Sequence, residues 1–111
     1  MSQKIVLADD EQFIAIAYND ALQRAGYTVF VASNGEEALE LIQKETPDLI
    51  LLDLMMPKKD GFEVLSIIKA DPALKNIPVL VLSNLSQPSD EVEVRKQGAV
   101  DFLVKAEMSL D

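Results

Sequence analysis

The sequence predicts an α/β fold, a doubly wound five-stranded parallel sheet with helices on both faces. Two observations carry that expectation. Five short apolar runs of strand length stand at 5–8, 28–32, 49–52, 79–82 and 100–104, and helical patterns separate each from the next. Most of the runs lack polar alternation, as strands buried on both faces do. Strict β-α alternation favours right-handed crossovers and a parallel sheet.

Taken in order, the run at 5–8 leads to Phe13, Ile14, Ala17, Ala21, Leu22 and Ala25 at helical spacing, and Gly26 ends that pattern. After the second run, Ser33 followed by Glu36 reads as a capping box ahead of Ala38, Leu39, Leu41 and Ile42, closed by Pro47. The third run is followed by Asp60 with Glu63, a second box, with Phe62, Leu65 and Ile68 inward and Asp71-Pro72 as the stop. Pro88 reads as a first-turn proline of a fourth, polar helix that runs to Gly98. Val92 and Val94 are nearly its only apolar residues, so it is expected to be the most loosely held. Ser109 resembles an N-cap for a fifth helix, which the chain, ending at Asp111, does not contain. The expectation is that the protein continues past this point or self-associates through the sheet face such a helix would cover, where the third and fourth runs would be bare.

With 111 residues and a hydrophobic fraction of 49%, the chain suits a single domain, 1–111, with one core. Its net charge of −9 argues against nucleic acid and anionic membranes as partners. The absence of Cys and His excludes disulfides, thiolate nucleophiles, His- or Cys-ligated metals and Ser-His-Asp triads. No apolar stretch is long enough for a signal peptide or a membrane span, so a cytoplasmic protein is the default.

The residues with chemistry fall where the apolar runs stop. Asp9 and Asp10 follow the first, Asp53 ends the third, Ser83 and Asn84 follow the fourth, and Lys105 follows the fifth. In an open parallel sheet the C-terminal strand ends share one edge, and ligands bind in the crevice there. Two carboxylates 4 Å apart repel by roughly 4 kcal/mol at an effective dielectric near 20, and Lys105 alone does not neutralise three. An oxygen-only site suits a hard divalent ion such as Mg²⁺ or Mn²⁺. Singly, Asp10 reads equally well as a helix cap, Ser83 as a turn hydroxyl and Lys105 as a solvated lysine. Their joint placement at four strand ends favours a site.

These residues resemble the receiver domains of two-component response regulators. The resemblance covers nearly the whole chain: residues 5–11 (IVLADDE), 48–57 (DLILLDLMMP), Asp60-Gly61, Ile77 through Ser83, and 98–105 (GAVDFLVK). It implies a flavodoxin-like sheet of strand order 2-1-3-4-5 and a phosphorylation-dependent switch rather than a turnover enzyme. Carried over by position, Asp53 is the phospho-acceptor. Mg²⁺ is held by Asp10, by Asp9 mainly through water, by Asp53 and by the backbone carbonyl of Met55. Ser83 is the switch hydroxyl, Lys105 the amine that pairs with the phosphoryl group, and Phe102 the switch aromatic. The implied donor is a histidine kinase or phosphotransfer protein, and the implied output a downstream protein or a fused domain.

The chain departs from the family pattern at four places. Ala106 follows Lys105 where the family usually has a cis proline, and a cis bond there would cost about 2.5–4 kcal/mol. Asn84 replaces a small residue, Lys58 stands where glycine is common, and the fifth helix is missing. Three other readings compete. A receiver-fold interaction module working without phosphate conflicts with the intact acidic set. An aspartate-nucleophile phosphatase commonly has Asp-x-Asp, whereas Asp9-Asp10 are adjacent. A flavin site needs a Ser/Thr/Gly-rich first loop, and this one is acidic.

Overall fold

The structure, a computed structural model, describes residues 3–54, 56, 58, 60–83 and 88–104, with residues 83, 88–91 and 102–104 described in backbone only. Nine elements alternate as expected: β1 (Lys4–Ala8), α1 (Gln12–Arg24), β2 (Thr28–Ala32), α2 (Gly35–Glu45), β3 (Leu49–Asp53), α3 (Gly61–Ala70), β4 (Val79–Ser83), α4 (Pro88–Lys96) and β5 (Asp101–Val104). The strands form one parallel sheet of order β2-β1-β3-β4-β5. The chain therefore winds outward first to β2, then back across β1 to β3, and a switch point falls between β1 and β3.

Because strand side chains alternate between faces, each apolar run serves two cores. Ile5, Leu7, Leu51 and Leu82 are buried on the α1 side with Tyr18, and Ile14 and Leu22 pack against them. Val6, Ala8, Ile50, Leu52, Val79 and Val81 are buried on the other side with Ile42 of α2, Leu65 and Ile68 of α3 and Val94 of α4. Of the two valines of α4, Val94 is buried and Val92 is exposed. The bare patch expected on the α1 face is narrower than the sequence suggests. Leu51 and Leu82 are buried because both join the cluster around Tyr18, while Leu49 and Leu80 are half-buried.

Two local expectations are corrected. The cap of α2 is Asn34, not Ser33: Asn34 Oδ1 accepts the Glu37 N–H at 2.9 Å, and Glu37 Oε1 accepts both the Ser33 N–H and the Ser33 hydroxyl. The cap falls one residue later than expected, because Ser33-Asn34 and Glu36-Glu37 offer two registers, and the Glu37 carboxylate reaches back past the cap to Ser33. In α1 the inward stripe is Ile14, Tyr18 and Leu22 at spacings of four, and Phe13 is 92% exposed. The expected cap of α3 holds, with Asp60 Oδ1 accepting the Glu63 N–H at 2.9 Å.

Candidate functional site

Three of the strand-end residues named from the sequence meet at one edge of the sheet. Carboxylate oxygens of Asp9, Asp10 and Asp53 all lie within 4.8 Å of one another. Asp9 and Asp53 are 1% and 2% exposed, and Asp10 is exposed. Two of the carboxylates are thus buried and the third is open to solvent.

The backbone explains the arrangement. The Asp9 N–H donates to the Ala32 carbonyl at 3.0 Å, which carries the β1–β2 ladder one residue past β1. Asp9 Oδ1 then accepts the Glu11 N–H at 2.9 Å, a turn in which the carboxylate bonds backbone two residues on. Asp10 thus takes no capping role: the N-cap position of α1 is Glu11, with no side-chain cap. That removes the ordinary structural use of Asp10.

Asp53 is the last residue of β3, in register with Leu82 of β4, and the next residue, Leu54, is wholly buried. The helix after it is docked at very short range. The Gly61 N–H donates to the Leu54 carbonyl at 2.9 Å. A Cβ at Gly61 would overlap the Asp53 carbonyl oxygen and stand 2.6 Å from Leu54 Cα. Only glycine lets α3 start against the strand end that carries Asp53. In the loop between them Lys58 adopts φ 70°, the left-handed region that non-glycine residues rarely occupy. The family's preference for glycine at this position has its reason there.

Ser83 ends β4 opposite Val104, and Phe102 lies opposite Val81, so both occupy the expected strands. Met55 and Lys105 lie outside the described residues, as do Asn84, Ala106 and Ser109. The described carboxylates supply oxygen donors only, and that donor set fits a hard divalent cation. The close approach at Gly61 was missed in the sequence, although the Asp60-Gly61 pair was its signal.

A doubly wound sheet with three aspartates at the C-terminal edge of β1 and β3 defines a class of acidic-pocket α/β modules. Comparison with known proteins narrows it. Residues 5–109 match the model of the response regulator receiver domain. The chain is 40% identical over 105 residues to the alkaline phosphatase synthesis transcriptional regulatory protein PhoP of Bacillus subtilis, covering 95% of this chain and 43% of that one. It is 35% identical to sporulation initiation phosphotransferase F of the same organism, covering 95% of this chain and 83% of that one. The Francisella response regulator 1452 receiver domain superposes with a TM-score of 0.90 at 35% identity, over 99% of this chain and 88% of that one. The chain belongs to the response regulator receiver domain family. That family consists of phospho-acceptor switches of two-component signalling, phosphorylated on an aspartate. The chain spans less than half of PhoP and most of phosphotransferase F. No helix among the described residues is long and apolar enough to cross a membrane.

Proposed function

We propose that Asp53 is the aspartate that accepts the phosphoryl group, with Mg²⁺ bound beside it by Asp9, Asp10, Asp53 and the backbone carbonyl of Met55. The observation that carries this reading is the position of Asp53. It is buried at the end of β3, with oxygens of Asp9 and Asp10 inside the same 4.8 Å cluster. When bound, Mg²⁺ would supply charge neutralisation and orient phosphoryl oxygens. Asp53 attacks phosphorus, and a P–O bond forms as the P–N bond to a donor imidazole breaks; that imidazole carries a proton on its other ring nitrogen, so it leaves as neutral histidine and an aspartyl phosphate remains. Asp10, at the solvent-facing side, holds the open edge of the cation site, and Asp9 fixes the turn through the Glu11 N–H.

Ser83 and Lys105 then bond the phosphoryl oxygens far better than a bare carboxylate, and Phe102 responds. That differential contact is what a two-state switch requires. The donor is a histidine kinase or phosphotransfer protein, and the output a partner protein or fused domain. Phe13 and Ile16, both exposed on the first turns of α1 close in sequence to Asp10, offer a donor an apolar foothold. The domain is cytoplasmic and does not turn over a substrate.

Mass spectrometry after incubation with acetyl phosphate and Mg²⁺ tests the reading. One phosphoryl group on the wild type and none on Asp53→Asn is the expected outcome. Unchanged labelling of Asp53→Asn would refute it.

A further inference from the structure

Lys69 has no part in the acidic pocket, yet its side chain is held by two segments outside its own helix. It stands in the last turn of α3, half-buried. Its Nζ donates to the Lys75 carbonyl at 2.9 Å and reaches the Ile77 carbonyl at 3.5 Å. Both carbonyls belong to the connection between α3 and β4. The stem meanwhile lies against Gly98, in the turn between α4 and β5. A Cβ at Gly98 would stand 3.0 Å from Lys69 Cε, 3.1 Å from Cδ and 3.4 Å from Cγ. Gly98 itself has φ 105°, a backbone conformation that favours glycine, and a side chain there would press on the flexible Lys69 stem.

A lysine near a helix C-terminus ordinarily extends its ammonium to water and bonds the helix's own last carbonyls. Lys69 instead bonds carbonyls of the connection that follows its helix, and partial desolvation holds its amine below the usual lysine range. The two carbonyls offset that partial loss of water and hold the ammonium beside the α3–β4 connection. The neighbouring backbone joins the same two segments, for the Val100 N–H donates to the Val79 carbonyl at 2.9 Å.

We propose that Lys69 is a positioning residue that couples β4 to β5. Its ammonium fixes the backbone leading into β4, and its stem supports the turn leading into β5. Lys69 thereby adds a side-chain link, beside the backbone ladder, between the two strands that carry the switch positions Ser83 and Phe102. The part of this concerning signal spread rests on Asp53 being the phospho-acceptor; the mechanical part does not.

The test uses the 111-residue chain as wild type, Lys69→Met, which keeps a stem and loses the donor, and Lys69→Arg, which keeps a donor. Without any phosphoryl donor, amide hydrogen exchange at Ile77 and Val100 should rise about tenfold or more in Lys69→Met. The Asp9 amide, across the sheet, should be unchanged, and Lys69→Arg should restore much of the protection. Equal exchange in wild type and Lys69→Met would overturn the coupling. With beryllofluoride and Mg²⁺, amide shift changes over 99–104 should fall by about half or more in Lys69→Met while acetyl phosphate labelling persists. Undiminished shift changes would overturn the signalling role. Absence of labelling in the wild type would instead count against the phospho-acceptor reading and leave the exchange result to judge the coupling. If Lys69→Met does not fold, Lys69→Leu takes its place in both arms.

Discussion

Asp10 and Asp53 lie in one carboxylate cluster, but their burial gives them different duties. Asp53 is enclosed at the strand end, whereas Asp10 is open to water and free of capping work. Asp10→Ala should therefore fold normally and lose Mg²⁺ affinity by about tenfold or more, as loss of a direct ligand implies. Mg²⁺ titration and acetyl phosphate labelling check this, and normal labelling of the variant in a chelator would contradict it. Gly61 and Lys58 are positions where backbone geometry selects the residue. Gly61→Ala forces α3 away from the Asp53 carbonyl and should cost about 3 kcal/mol or more in urea unfolding. Lys58→Gly removes a left-handed non-glycine residue, relief of roughly 1–2 kcal/mol, partly offset by the added freedom of glycine when unfolded. A net gain of about 0.5–1 kcal/mol is expected from the same measurement. A loss would mean that the Lys58 side chain makes a contact worth more than the strain.

Strands were the most legible elements, because an apolar run buried on both faces has little else to be. The runs expected at 5–8, 49–52 and 79–82 each gained one residue at an end, and 28–32 was unchanged. Helix faces were less legible. Phe13 fits a helical repeat as well as Ile14 does, and only the packing of Tyr18 against Leu51 and Leu82 decides which residue turns inward. The α2 cap failed by one residue for a similar reason, since two neighbouring cap-type residues each had a glutamate three positions on. The site was legible because its residues sit at strand ends, whereas the contact of Lys69 with Gly98 joins elements whose meeting no spacing announces. The α2 cap also carries a pH dependence. Hydrogen bonds from the Ser33 N–H and hydroxyl, with a smaller contribution from the Lys58 charge, hold the Glu37 carboxyl below its ordinary value of 4.5. A carboxyl depressed in the folded state adds stability that is fully present above pH 4.5 and is lost as pH falls through the lowered value. Glu37→Gln should therefore differ from wild type near neutrality and converge with it in acid, as followed by urea midpoints across pH 3 to 7. A constant difference at every pH would contradict the account.

For the whole molecule, the strand order does the essential work. Placing β1 between β2 and β3 brings residues 9, 10 and 53, far apart in sequence, to one edge, and β4 and β5 follow with the positions of Ser83 and Phe102. Two separate cores back the sheet, one on each face. A chain with a net charge of −9 that gathers three carboxylates at one point gains from a cation there, and ligand binding to the folded state raises stability by mass action. The central claim is that this edge takes a phosphoryl group on Asp53 in a cation-dependent way. Intact-mass and peptide mass spectrometry of the chain after acetyl phosphate treatment, with Mg²⁺ and with a chelator, measures it directly. The expected result is one added phosphoryl group, located on Asp53, lost in the chelator and absent from Asp53→Asn. Labelling that persists in the chelator, or that maps to another residue, would contradict the account.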